Sequence, residues 1–269
     1  MTGLDEKLAA LREILTGTES ALVAYSGGVD SAFLLWAALD TLGPERVLAA
    51  TGSSPIFSRR ELKAAQEIAR RMNAPHRFVP TRQLKNEQFV LNPPQRCYLC
   101  KREMFSRLVE VAQEEGLAWV VEGSNLDDRD EYRPGIQAAR EVGVRSPLEE
   151  AGLTKAEIRS LSRRAGLPTW DKPAQTCLVT RFPYGTPITS EGLGRVEAAE
   201  AMLREVGFAE LRVRDHSPIA RIEVAIEEVA QLAQPEVAAR VVAGLKDLGY
   251  LYVTLDLEGY RRGSLDTVG

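Results

Sequence analysis

The sequence has no long hydrophobic run: none of its 269 residues falls in a stretch of the ~18 consecutive apolar positions that a membrane helix needs, so no membrane partner is expected. Histidine and cysteine are scarce, with two of the first and three of the second. A four-ligand zinc site would need a group beyond the cysteines, and His76 and His216 stand at spacings that match no zinc signature. A basic excess is missing as well. The net charge is −4 and no segment is rich in Lys and Arg, which argues against a nucleic-acid partner. The first fifteen residues read as an amphipathic helix and lack the basic-then-apolar order of an export signal. A reducing cytoplasm is therefore expected, where Cys97-x-x-Cys100 would bind metal or do chemistry rather than form a disulfide.

What is present is an alternation of strand and helix patterns. "ALVAYS", "RVLAATGSS", "PHRFVPT" and "LAWVVEGSN" read as strands, with helices between them. One of these helices, "SRRELKAAQEIARRMN", is expected to carry a capping box of Ser58 and Glu61, and "GLTKAEIRSLSRRAGLP" a cap at Thr154. Near-continuous apolar strands separated by helices predict an α/β fold, a parallel sheet covered on both faces. Ligands of such sheets gather beyond the carboxyl ends of the strands, so 26–31, 51–54 and 123–128 should meet at one edge. Beyond Ile188 the pattern changes to a helix over 190–207, strands over 210–216 and 219–225, a helix over 227–249 and a strand over 250–257. That order predicts a second, smaller α+β domain. The expected division is 1–186 and 187–269.

The stretch "SGGVDS", residues 26–31, breaks off the first strand with two glycines and starts a helix at Asp30. Backbone N–H groups of Gly27, Gly28, Asp30 and Ser31 at a helix start form an anion cradle. The hydroxyls of Ser26 and Ser31 add donors, and Asp30 is suited to Mg²⁺ or to a lysine ammonium. A glycine turn that merely links strand to helix is the plain alternative. The stretch is not a Walker loop, since G-x-x-x-x-G-K-[ST] is absent. It resembles the PP-loop of ATP pyrophosphatases, which implies ATP as co-substrate, adenylation, and release of pyrophosphate. Ser53 and Gly123, at neighbouring strand ends, complete the ATP-binding candidates.

An adenylated carboxylate needs a nucleophile. Cys177 lies in a long polar loop between the cations Lys172 and Arg181, which favour a thiolate; an ordinary loop cysteine is the alternative. Cys97 and Cys100 enter a helix behind two prolines in "NPPQRCYLCKREMF". Three cysteines suit a [4Fe–4S] cluster with one iron left open, and a redox or packing role for the pair is the plainer reading. Arg212 and Arg214 alternate along one strand and so share a face, either as a grip on a substrate phosphate with Arg181 or as a solvated surface. Asp127 and Asp128 suit metal, ribose or a capped turn. Trp36 and Trp119 read as core, and Trp170 as packing or a lid.

Together "SGGVDS", "EGSNLDDRDEYRPGIQAARE", "SPL", "KPAQTCLVTRFPYGTPIT" and "LRVRDHSPIARIEV" resemble the LarE family of ATP-dependent sulfur transferases, over nearly the whole chain. The resemblance implies that a carboxylate of a pyridinium dicarboxylate mononucleotide is adenylated and converted to a thiocarboxylate, in nickel-pincer nucleotide cofactor synthesis. It implies sulfur from an iron–sulfur cluster on Cys97, Cys100 and Cys177, or from sacrifice of Cys177 to dehydroalanine. It further implies a homo-oligomer, as large as a hexamer, with Glu200 and Glu223 as metal or subunit-contact residues. A PP-loop tRNA thiolase and a non-catalytic nucleotide sensor are the competing classes. The negative charge opposes the first, and an intact loop beside three cysteines opposes the second.

Overall fold

Short apolar strands that end on small residues leave room for tight exits into helices, and the structure is organised around those exits. The computed structural model describes residues 3–129, 134–174 and 176–261. Its elements run α1 (Gly3–Thr16), β1 (Ala21–Ala24), α2 (Val29–Leu42), β2 (Val47–Ser53), α3 (Arg59–Arg71), β3 (His76–Pro80), α4 (Glu87–Val90), α5 (Arg96–Glu114), β4 (Trp119–Val121), α6 (Pro134–Glu141), α7 (Pro147–Glu150), α8 (Lys155–Arg164), α9 (Ser190–Val206), β5 (Leu211–His216), β6 (Ile219–Val224), α10 (Val229–Leu232), α11 (Pro235–Asp247) and β7 (Tyr252–Leu255). Among the described residues no helix is long and apolar enough to cross a membrane. The chain divides into two compact units, Met1–Asn86 with Pro94–Gln175, and Glu87–Pro93 with Thr176–Gly269. Residues 176–186, placed upstream of the boundary in the sequence reading, group with the second unit here. Residues 87–93 group there too, held by Gly185 N–H donating to Asn92 O (2.9 Å) and Ile188 N–H donating to Val90 O (2.8 Å).

The first unit is built on a four-stranded, all-parallel sheet in the order β3-β2-β1-β4. Successive strand residues point to opposite faces, and both faces are covered. Ala21, Val23, Val47 and Ala49 pack with α1, α2 and α8, while Leu22, Leu48 and Ala50 pack with Phe105 and Leu108 of α5. This is the α/β architecture of a PP-loop domain. All strands point one way, so the exits of β1, β2 and β4 share an edge. Helix α5 lies between β3 and β4 in the chain, with Cys97 and Cys100 in its first two turns.

The second unit holds a three-stranded sheet, β5-β6-β7, antiparallel between β5 and β6 and parallel between β6 and β7. Leu211, Val213, Ile222 and Val224 pack on α9 and α11, an α+β arrangement with a core of its own. The helix expected over 227–249 is two, because Pro235 cannot continue the helix before it and starts α11 instead. Two further expectations are corrected. Ser58 is the N-cap of α3 but makes no side-chain cap bond, and Glu61 turns to a lysine. Trp119 is 39% exposed rather than core, and Arg145 lies over its ring.

Candidate active site

Tyr25 N–H still donates to Ala50 O (2.8 Å), so the chain leaves the sheet at Ser26. Two serines then tie the loop's ends together. Their hydroxyls lie 3.0 Å apart, Ser26 N–H donates to Ser31 Oγ (3.2 Å), and Ser31 Oγ donates to Gly28 O (3.3 Å). Gly27 has φ +70°, and a Cβ there would stand 2.8 Å from both Cα and Cβ of Ala65 on α3. Only glycine fits that position, by conformation and by space. Gly28 differs: its φ is −81°, and the nearest atom to a Cβ would be Ser26 Oγ at an ordinary 3.4 Å. Past it, the first N–H groups of α2 have no partners within the helix and point into the cradle with the helix dipole behind them. Gly123, expected on ATP, has a steric task in the structure. A Cβ there would stand 3.0 Å from Ser31 N and 3.2 Å from the Asp30 backbone, so glycine lets the β4 exit close on the cradle. Ser53 ends β2 and accepts Thr81 N–H (3.0 Å).

Two lysines that sequence reasoning did not place on the loop complete it. The Lys155 ammonium pairs with Asp30 Oδ2, while Asp30 Oδ1 is buried with no hydrogen-bond partner among the described residues. Lys155 is the first residue of α8, inside the Thr154–Glu157 capping box, and its own N–H donates to Asp127 Oδ2 (2.8 Å). Asp128 Oδ2 accepts Asn125 N–H (3.0 Å). The structure thus accounts for Asp127 and Asp128 as cap and turn residues. Lys172 Nζ donates to Gly27 O (3.0 Å) and to Glu61 Oε2 (3.2 Å). Its ammonium is committed there. Arg159 holds the backbone around it by donating to Trp170 O (2.8 Å) and Lys172 O (3.0 Å). Trp170 lies half-exposed under Arg163, its ring centre 5.0 Å from the guanidinium carbon.

The second unit gathers the arginine candidates around two buried glutamates. Arg181 Nε donates to Glu200 Oε1 (2.8 Å) and Nη2 to Oε2 (3.2 Å), while Nη1 donates to Cys177 O (3.0 Å) and Thr176 Oγ1 (2.8 Å). Both side chains are almost fully enclosed, at 4% and 3% exposure. Arg181 therefore braces the Cys177 loop; its donors are turned to protein acceptors. Arg214 donates to Thr180 O (2.8 Å) and Glu223 Oε2 (2.7 Å), and Arg221 to Glu223 Oε1 (3.0 Å). Glu200 takes Arg204 as well (3.0 Å) and accepts Val213 N–H (3.3 Å). In the structure Glu200 and Glu223 are buried arginine partners. Arg212 makes no ion pair among the described residues and lies over the Tyr260 ring at 4.8 Å. Burial pulls its guanidinium below its ordinary pKa, and the charges of Arg181 and Arg214 add to that pull against Glu200. An anion placed beside it would relieve both.

For Glu200, burial alone would push the carboxyl up, but Arg181, Arg212 and Arg204 bring it below the ordinary carboxylate value. A depressed pKa means stabilisation that is present above the unfolded-state value and lost as pH falls through the folded one. Removing one partner of a buried pair costs ~3–5 kcal/mol, since the other charge stays buried. Arg181→Met is thus expected to destabilise the protein by that amount in urea unfolding, and to do so far more than Arg204→Met, whose side chain is 25% exposed. Equal, small effects would show that the buried pair contributes little.

The described residues give no support to an iron–sulfur cluster. Cys97 is exposed, Cys100 and Cys177 are half-buried, and the pair belongs to the first unit while Cys177 belongs to the second. Among the described residues no three His, Cys, Asp or Glu side chains are gathered to hold a metal. Mg²⁺ is the better fit, because Asp30 Oδ1 is a buried carboxylate oxygen without a partner among those residues.

No family model matches the chain. It is 37% identical over 266 residues to the pyridinium-3,5-bisthiocarboxylic acid mononucleotide synthase of Lactiplantibacillus plantarum, over 99% of this chain and 96% of that enzyme. An uncharacterized protein of Synechocystis is 45% identical over 265 residues, covering 98% of each chain. A subunit of the glutamine-hydrolyzing GMP synthase of Methanocella arvoryzae is 28% identical over 222 residues, or 75% of this chain and 69% of that one. Such similarity to the Lactiplantibacillus synthase from end to end, on a parallel α/β core whose first exit is the SGGVDS cradle, assigns the chain: it belongs to the LarE family.

Proposed function

We propose that this protein is an ATP-dependent sulfur transferase that converts a carboxylate of pyridinium-3,5-dicarboxylate mononucleotide to a thiocarboxylate, releasing AMP and pyrophosphate. The observation that carries this reading is the cradle. Gly27 is held at φ +70° against α3, and the start of α2 presents backbone donors where the β- and γ-phosphates of ATP would rest. The substrate carboxylate attacks the α-phosphorus, the P–O bond to the β-phosphate breaks, and pyrophosphate remains in the cradle. Lys155 adds positive charge beside Asp30. A magnesium ion, when bound, would neutralise the leaving pyrophosphate, and Asp30 Oδ1 is the oxygen suited to hold it.

The acyl adenylate then meets sulfur. The Cys177 backbone is braced, with its carbonyl accepting from Arg181 Nη1 (3.0 Å) and Thr180 Oγ1 (2.9 Å). In this reading Cys177 itself supplies the sulfur.

ATP–pyrophosphate exchange tests the assignment: exchange should depend on the pyridinium carboxylate mononucleotide and be indifferent to tRNA. Exchange driven by tRNA would make the protein a tRNA thiolase instead. The substrate phosphate falls to Arg212, the arginine of its cluster with no ion pair among the described residues. A charge-assisted hydrogen bond is worth ~1.5–3 kcal/mol, so Arg212→Ala should raise the KM for the mononucleotide about ten- to a hundred-fold. The KM for ATP should not change. An unaltered mononucleotide KM would remove Arg212 from the substrate site.

A further inference from the structure

We propose that Lys172 is a lock on the Gly27–Gly28 peptide, a positioning residue that keeps the Gly28 N–H turned into the phosphate cradle. It rests on the reading of SGGVDS as the ATP-phosphate site. Between Gly27 and Gly28 the peptide bond is trans, so its C=O and N–H point in opposite directions. Fixing one fixes the other. Lys172 Nζ grips the Gly27 carbonyl at 3.0 Å, and the opposite end of that peptide, Gly28 N–H, lies a long 3.4 Å from Ser26 Oγ.

This peptide needs a lock more than its neighbours do. It joins two residues without Cβ atoms, so no side chain on either of them opposes its rotation. A rotated peptide would aim a carbonyl oxygen at the phosphates in place of a donor. The lysine is itself held at both ends, at its ammonium and at its backbone. Glu61 Oε2 on α3 accepts from it at 3.2 Å, and Arg159 binds the carbonyls of Trp170 and Lys172 at 2.8 and 3.0 Å. The Lys172 side chain is 17% exposed, so its charge works in a partly desolvated place. Glu61 was expected to cap α3, and its commitment to Lys172 leaves that cap bond unmade.

The test is calorimetric titration of the full chain with inorganic pyrophosphate, using wild type, Lys172→Met, Lys172→Arg and Glu61→Gln, with thermal unfolding of each and a crystal structure of Lys172→Met. Lys172→Met should weaken pyrophosphate about ten- to a hundred-fold at little cost in unfolding temperature. Lys172→Arg keeps a charged donor and should recover most of that loss. Glu61→Gln leaves the lysine in place and should show a smaller loss; it carries the same test if the Met variant does not fold. The variant's crystal structure should show the Gly27–Gly28 peptide rotated. Wild-type affinity in Lys172→Met overturns the lock. So does lost affinity with the peptide unmoved, which would place Lys172 on the phosphate itself. Failure of the wild type to bind ATP or pyrophosphate is the separate failure of the cradle reading, because the peptide rotation is seen without nucleotide.

Discussion

Replacing Gly27 by valine is expected to abolish ATP-dependent pyrophosphate release, while Gly28→Ala leaves the fold undisturbed. The difference lies in what each missing Cβ would meet. At Gly27 it would stand 2.8 Å from the Cα and Cβ of Ala65, a distance no real pair of carbons keeps, and at φ +70°. A side chain there costs ~1–2 kcal/mol for the left-handed backbone. Overpacking of a tight contact adds ~1–3 kcal/mol. The loop can escape only by moving away from α3 and relaxing toward negative φ, which turns the cradle's donors out of register. At Gly28 the backbone is extended and the nearest neighbour is 3.4 Å away, so alanine meets no protein atom at close range. Any loss of ATP affinity in Gly28→Ala then measures how closely phosphate approaches that carbon. Unfolding midpoints and ATP–pyrophosphate exchange on both variants decide the matter. Wild-type exchange by Gly27→Val would mean that the loop is a connector.

The fold was legible because its signals are local. Apolar strands such as "ALVA" and "VLAA" alternate between two packed faces, and their order with the helices leaves a parallel sheet as the economical arrangement. Where the reading slipped, a local signal was outweighed by a distant one. Ser58 and Glu61 spell a capping box, but Lys172, 111 positions along from Glu61, claims the carboxylate. Pro235 is the opposite case, a local stop inside an apolar helical pattern that was read as continuous. Trp119 opens β4 at the sheet's outer rim, where alternation places it against Arg145 and solvent.

The site divides the same way. SGGVDS was readable because its serines, glycines and aspartate lie within six consecutive residues. Its lysines were not, since Lys155 lies 125 positions from Asp30 and Lys172 lies 145 from the Gly27 carbonyl it holds. Neither lysine has a spacing that marks it. Arg181 was noticed as a charge beside a thiol, and its direction was what the sequence could not give. The guanidinium turns to Glu200 and to the Thr176 and Cys177 carbonyls. Buried ion pairs of this kind are fixed by tertiary packing, and a residue's type says little about which partner claims it.

Cys177→Ser is expected to retain ATP–pyrophosphate exchange and to yield no thiocarboxylate. Adenylation uses the cradle of the first unit, whereas the sulfur step in the proposed reaction uses the Cys177 thiol. The steps should therefore separate cleanly. The thiolate attacks the acyl carbon of the adenylate, a C–S bond forms, and AMP leaves with its oxygen. Release then requires loss of the Cys177 Cα proton; those electrons form a Cα=Cβ double bond as the Cβ–S bond breaks. The product carries the sulfur away as thiocarboxylate, and residue 177 is left as dehydroalanine. The protein must then be lighter by one H₂S after a single turnover, which intact-mass measurement reads directly. Cys97→Ser and Cys100→Ser should leave that single turnover and that mass loss unchanged, because the proposed step uses the Cys177 thiol alone. An enzyme of unchanged mass after many turnovers, containing iron and acid-labile sulfide when prepared without oxygen and inactivated by either of those two substitutions, would overturn sacrifice. It would return the three cysteines to a shared cluster.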